Sequence, residues 1–153
     1  MSINGKPQLE PCNCAALRAA ARHVSQMYDG HISDAELRTS QFTILSMLKR
    51  LGPTTINTLA RNMVMDRTTL GRNIVPLQRR RLITARRSPT DGRSKELQLT
   101  QAGLARLEAS VEGWRKAQTQ FEAALGPERL AQLRSLLQVV VESDLRIDGD
   151  SRN

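Results

Sequence analysis

The chain has 153 residues, is 39% hydrophobic and 25% charged, and carries a formal net charge of +8. That length supports one domain, or one compact domain with an extension, able to bury roughly two thirds of its unfolded surface, and the ordinary composition excludes disorder and collagen-like repetition. No apolar run approaches the ~20 residues of a membrane span and Met1–Leu9 has no hydrophobic signal core, so a cytoplasmic protein is expected.

Residues 1–10 contain Gly5 and Pro7 without periodicity and read as a flexible N-terminal arm. From Pro11 to Tyr28, the residues Leu17, Ala20, Ala21, Val24, Met27 and Tyr28 recur at three- and four-residue spacings, predicting an amphipathic helix that Asp29, Gly30 and His31 break. A second helix is predicted over Thr39–Leu51, with Phe42, Leu45, Leu48 and Leu51 inward and Gly52-Pro53 as its stop. A short third covers Thr54–Met63, capped by Thr54 or Thr55, with Ile56, Leu59, Ala60 and Met63 inward. The next begins at Asp66, burying Leu70, Ile74 and Leu77 and strained or kinked by Pro76.

Two strands follow, Ile83–Arg87 and Ser94–Leu99, each alternating apolar with polar residues, and the linker Ser88-Pro89-Thr90-Asp91-Gly92 between them signals a hairpin. Helix, turn, helix and basic hairpin outline a winged helix-turn-helix. Thr100 is a good N-cap for a long helix bearing Leu104, Leu107, Val111, Trp114, Gln118, Phe121 and Leu125 in steps of three and four, a heptad seam. Gly126-Pro127 ends it before a last helix with Leu130, Leu133, Leu136, Leu137 and Val140, and residues from Asp148 form a polar tail. The seam serves either dimerisation or an internal helical core.

The charge is not evenly spread. Residues 61–95 hold ten Arg and Lys against only Asp66 and Asp91, a local +8 equal to that of the whole chain, so the other residues balance. A concentrated cationic face implies a polyanionic partner, most often nucleic acid. On the basic helix, Arg67, Thr68, Thr69, Arg72 and Asn73 suit base edges in a major groove: Arg pairs with guanine, Asn with adenine, and a Thr methyl meets thymine. Gly71, lacking a side chain, permits close approach to the DNA backbone. Arg79, Arg80 and Arg81 serve equally as C-terminal dipole partners or phosphate contacts. Arg86 and Arg87 on one strand, with Arg93 and Lys95 on its return, suit a narrow, electronegative minor groove. Asp91 either braces the Arg93 guanidinium or is only a turn residue.

The segment Asp91-Gly-Arg93-Ser-Lys-Glu-Leu97-Gln-Leu99-Thr100-Gln-Ala-Gly103 resembles the wing signature of the MarR (multiple antibiotic resistance regulator) family, and Leu59-Ala60, the helix from Asp66 and Leu82-Ile83 stand in that family's order. The likeness extends over about residues 11–145, with Pro76 as a departure where the family commonly has an ordinary helix former. It implies a mainly α protein with a small β-hairpin wing: a winged helix-turn-helix DNA-binding lobe over 39–99 and a helical dimerisation region over 11–38 and 100–147. It further implies a homodimeric transcriptional regulator, usually a repressor, whose Arg67–Asn73 helix reads the major groove of double-stranded DNA while Arg93 reaches the minor groove. Paired copies would place the reading helices about one turn, ~34 Å, apart on a pseudo-palindromic operator.

The same resemblance offers two regulatory readings. His23, Met27, Tyr28, Phe42 and Trp114 are candidate lining for an effector pocket taking a small aromatic, phenolic or acyl-thioester molecule, or are simply core. Cys14 lies near a helix start, where thiolate is favoured, as in the family's hydroperoxide-sensing branch. That branch typically surrounds its thiol with several tyrosines, and this chain has only Tyr28, so Cys12 and Cys14 also fit as buried, inert residues at a dimer interface. No cofactor or metal is expected, because Cys12, Cys14, His23 and His31 lack a ligand spacing. Without a Gly-rich phosphate loop or a nucleophile–base motif the chain does not read as an enzyme. The remaining rival is an architectural protein that binds duplex DNA without sequence preference.

Overall fold

A computed structural model describes residues 8, 9 and 11–145, so the terminal tail and most of the N-terminal arm lie outside the described residues. The chain divides into two compact units, 1–117 and 118–153.

In the first unit, α1 (Asn13–Ile32) runs straight through Asp29, Gly30 and His31, where the sequence suggested a break. Tyr28 and Ile32 explain this: four residues apart, both are buried, and Ile32 joins the core at 2% exposure. Burial of an isoleucine outweighs the ~1 kcal/mol propensity cost of a helical glycine. Asp29 is a cap for the next helix, not a breaker. Its Oδ1 accepts the Thr39 amide at 2.6 Å and the Thr39 hydroxyl at 2.7 Å, satisfying the start of α2 (Thr39–Leu51). A 3-10 turn, Ser33–Ala35, joins α1 to α2 and leads into Glu36 in the left-handed region (φ 54°). Phe42, Ile44, Leu45 and Leu48 of α2 are buried, whereas Leu51 is exposed, and Gly52 at φ 72° ends the helix.

Beyond Gly52, β1 (Thr54–Thr55) is a strand too short to show alternation, which is why the sequence suggested helix there. Thr55 then caps α3 (Ile56–Asn62), its hydroxyl accepting the Thr58 amide at 3.2 Å. Asp66 caps α4 (Arg67–Arg79), which buries Leu70, Ile74 and Leu77 as its spacing requires. Pro76 lacks the amide that would bond to the Arg72 carbonyl, yet it sits on the exposed side and α4 continues to Arg79.

β2 (Ile83–Arg87) and β3 (Lys95–Leu99) pair antiparallel from Ile83↔Leu99 to Arg87↔Lys95, and β1 adds on the far side of β3 through Thr54↔Leu97 and Thr55↔Glu96. The sheet therefore has three strands, order β1-β3-β2, where the sequence suggested a two-stranded hairpin. Ile83 and Leu97 face the core formed with α2, α3, α4 and Leu107.

α5 (Gln101–Leu125) starts on Thr100, whose hydroxyl donates to the Arg81 carbonyl at 2.6 Å and accepts the Gly103 amide at 2.9 Å. The buried line along this helix is Gly103, Leu107, Ser110 and Ala117, so small residues beside the predicted seam do most of the inward packing. Two glycines set the approach. A Cβ on Gly103 would lie 2.0 Å from the Leu82 carbonyl oxygen, and one on Gly113 would lie 2.2 Å from that of His31. Leu107 and Trp114 of the seam do join or pack against the core.

In the second unit, Gly126 at φ 79° and Pro127 at the first helical position start α6 (Pro127–Glu142), with Arg134 and Glu122 3.4 Å apart. No residue of α6 is buried, and Leu136, Leu137, Val139, Val140 and Val141 are all exposed.

Candidate nucleic-acid interface

α4 offers two parallel stripes. Thr68, Arg72 and Arg79 point to solvent, while Arg67, Gly71, Ile74 and Gln78 turn toward the wing. Between the second stripe, the start of α3 and the wing lies an open groove of about 580 Å³, lined also by Thr55, Asn57, Arg93, Ser94 and Lys95. The groove thus brings together Arg67, which the sequence placed on the basic helix, and Arg93 and Lys95, which it placed on the return of the hairpin. Thr55, Asn57 and Gln78 were not anticipated. They carry no charge, and only the third strand brings Thr55 and Asn57 to this edge.

The predicted reading residues divide by what they already hold. Arg67, Thr68 and Arg72 are exposed and, like Arg86, Arg87, Arg93 and Lys95, make no side-chain hydrogen bond or ion pair among the described residues. Thr69 is committed to the cap instead: its hydroxyl donates to Asp66 Oδ2 at 2.5 Å, and its amide to Oδ1 at 2.9 Å. Those two bonds hold the Asp66 carboxyl below the usual carboxylate range. Asn73 is half-buried and donates its amide to the Thr69 carbonyl at 3.0 Å, its side-chain oxygen making no hydrogen bond among the described residues. Of the three clustered arginines, Arg80 is not a free cation. Its guanidinium donates to the Glu36 carbonyl at 2.8 Å and lies 3.5 Å from the Glu36 carboxylate, which Arg106 also meets at 2.8 Å.

On the wing, Asp91 is the turn residue. Its Oδ1 accepts the Arg93 backbone amide at 3.0 Å and its carbonyl accepts the Ser94 amide at 3.0 Å, while no ion pair joins it to the Arg93 guanidinium. At the wing stem Arg87 stands directly across from Lys95. Opposed like charges destabilise a sheet, and the opposition is relieved when a polyanion lies over both.

A second cavity, about 330 Å³, is lined by Tyr28, Thr39, Phe42, Thr43, Ser46, Met47, Arg50 and Trp114, with the Phe42 and Trp114 rings stacked at 5.9 Å. Three of the five proposed effector residues therefore meet. Exposed His23 and half-buried Met27 do not line the cavity. Its polar and cationic lining from α2 was missed because hydroxyl residues and Arg50 read as a solvated face. Cys12 and Cys14 are both exposed in the single chain, Cys12 at the N-cap of α1 and Cys14 in its first turn. Among the described residues no group of His, Cys, Asp or Glu is arranged to hold a metal ion, and no helix is long and apolar enough to cross a membrane.

The MarR family model matches residues 36–94, the span from the Glu36 corner through the wing tip. Among solved structures, the M. tuberculosis transcriptional regulator MosR in complex with DNA is 31% identical, with 86% of this chain and 96% of that chain covered and a TM-score of 0.74. A probable transcriptional regulator from Pseudomonas aeruginosa is 29% identical over 87% of this chain and 99% of its own, TM-score 0.75. The PcaV transcriptional regulator from Streptomyces coelicolor, in complex with its natural ligand, shares the fold at 22% identity, covering 91% and 98%, TM-score 0.78. No curated protein matches the sequence.

Proposed function

This chain belongs to the MarR family of transcriptional regulators, and from that premise we propose that it represses transcription as a homodimer on a pseudo-palindromic operator. The observation that carries this reading is the groove between α4 and the wing, lined by the unpaired cations Arg67, Arg93 and Lys95, with Arg72, Arg86 and Arg87 exposed on the same helix and hairpin. In this reading a sugar–phosphate strand runs along the groove, between a helix seated in the major groove and a wing in the adjoining minor groove. Thr68 and the free oxygen of Asn73 add neutral base-edge groups beside Arg72, which favours sequence reading over bare phosphate contact.

Residues 11–38 and 100–147 form the dimerisation region in this proposal. The unburied apolar side chains of α6 support it, because five exposed Leu and Val on one helix are costly in water. The cavity of Tyr28, Phe42 and Trp114 receives the effector, a small aromatic, phenolic or acyl-thioester molecule that stacks on the rings and sets its polar end against Arg50 and the hydroxyls of Thr39, Thr43 and Ser46. The effector lowers operator affinity only if it binds better to the conformation that does not fit the operator.

A thiol-based version of the same regulator is favoured by one observation, the exposure of Cys12 and Cys14 at the start of α1, where an oxidant can reach them. Peroxide-induced release of operator DNA that survives Cys14→Ser removes Cys14 as the sensor.

Competition of bound promoter DNA by random duplex tests the central reading. Retention against a large excess is expected, and equal competition would make the protein an architectural binder. In the same assay Arg93→Ala should weaken binding and reduce the salt slope by about 1. An unchanged affinity rejects the wing contact.

A further inference from the structure

The wing tip presents a physical problem that the DNA reading does not solve. Residues 89–93 are all exposed, with no apolar side chain anchored in the core, yet Arg93 must be held at a defined place to enter a groove. What holds the tip is Ser88, the last residue before it and only 6% exposed. Its hydroxyl donates to Glu96 Oε1 at 2.8 Å and accepts the backbone amides of Thr90 and Asp91, each at 3.3 Å, with the Thr90 hydroxyl at 3.1 Å. Its own amide closes the loop on the Ser94 carbonyl at 2.9 Å. Asp91, fixed in this way, turns its carboxylate onto the Arg93 amide.

Glu96 is the other half of the device. On the central strand it lies opposite Arg86 of β2 and Thr55 of β1, but it makes no ion pair with Arg86. Its carboxylate is occupied by a hydroxyl two residues beyond that arginine. A charge-assisted hydrogen bond of this kind is roughly twice as strong as a neutral one, and it leaves Arg86 free for an external anion.

We infer that Ser88 and Glu96 are positioning residues for DNA recognition: their bond pre-forms the wing tip that carries Arg93 and keeps Glu96 from neutralising Arg86. The inference rests on the proposed contact of Arg93 with DNA. Only a residue that donates one bond while accepting others fills the Ser88 position, which restricts it to Ser or Thr. With alanine there, the tip must be ordered at the moment of binding, and ordering costs affinity. Glu96 also loses its donor and turns to the cation across the strand.

The test is a double-mutant cycle in operator titrations, with thermal unfolding followed on every variant. Ser88→Ala is expected to weaken operator affinity about three- to tenfold and to speed amide exchange over Thr90–Ser94 in the free protein, while Ser88→Thr retains wild-type behaviour in both. Glu96→Gln keeps an acceptor for Ser88 and should bind DNA at least as tightly as wild type. In the Arg93→Ala background most of the Ser88→Ala effect should disappear. Full additivity of the two substitutions overturns the inference alone, as does unchanged exchange at the tip or unchanged operator affinity in Ser88→Ala. Arg93→Ala protein that binds like wild type overturns the underlying contact, and the inference falls with it.

Discussion

Replacing Gly71 by alanine separates what α4 needs for folding from what it needs for binding. Gly71 lies in mid-helix with ordinary backbone angles, since the glycines at positive φ are Gly52 and Gly126 among the described residues, and an added Cβ would meet nothing within 4 Å. The substitution should therefore stabilise the fold by about 0.5–1 kcal/mol, the usual difference between the two residues in a helix interior. For a chain of this size that raises the melting temperature by about 2–4 °C or somewhat less. The same methyl projects into the groove shared by Arg67, Arg93 and Lys95. If a DNA strand packs there, overfilling costs about 1–3 kcal/mol, or roughly 5- to 150-fold in dissociation constant. Thermal unfolding by circular dichroism and operator titration by fluorescence anisotropy, in one buffer, read the two signs. A more stable protein with undiminished affinity refutes the close approach of α4 to DNA at Gly71, and a less stable one refutes the open space around it.

Gly103→Ala is the opposite case: its Cβ would sit 2.0 Å from the Leu82 carbonyl oxygen, so the helix gain is lost to a forced backbone shift, and urea unfolding should show a net loss of about 1–3 kcal/mol. Equal stability would mean that α5 does not seat on the base of the wing. Glu36→Ala removes the carboxylate shared by Arg80 and Arg106; with Glu36 70% exposed the loss should stay within about 1 kcal/mol and shrink in high salt. Glu36→Gly also relieves the left-handed backbone and should cost less than Glu36→Ala, an order that denaturant midpoints can reject. Asp66 has a depressed pKa in the fold, so its stabilisation is present above the ordinary carboxylate value of 3.8 and is lost as pH falls through the lower folded value. Asp66→Asn keeps an N-cap acceptor without the titration; its stability difference from wild type should shrink in acid, and a constant gap would exclude the site as a source of acid sensitivity.

Periodicity revealed the elements whose burial repeats over several turns. Leu70, Ile74 and Leu77 of α4 and the alternation in β2 and β3 were legible because each element contributes a complete apolar face. The continuation of α1 through Asp29-Gly30-His31 was not, because its cause lies elsewhere: Ile32 is buried by distant segments, and Asp29 caps a helix that begins ten residues later. β1 escaped for a related reason, since two threonines become a strand only beside β3. Long-range pairing also separates the arginines. Arg79, Arg80 and Arg81 look alike in sequence, but the left-handed turn at Glu36 brings a carbonyl and a carboxylate to Arg80 alone.

That separation gives the cationic face its meaning. Arg38, Lys49, Arg80, Arg106 and Arg134 each have a carboxylate within 4 Å, and none of them lies on α4 or the wing strands. On α4 and the wing, Asp66 is turned into its own helix by Thr69, Asp91 into the tip by the Arg93 amide, and Glu96 onto Ser88. Each of these three carboxylates is thus occupied by a local hydroxyl or amide. Such bonds cost no cation, so the arginines keep their full charge while the elements that carry them stay ordered. A surface selected only for solubility gains nothing from this arrangement, because mixed, mutually paired charges serve it better. A surface that must meet phosphate gains on both counts, since the counterions released on binding scale with the number of free cations and the ordering entropy has already been spent in folding.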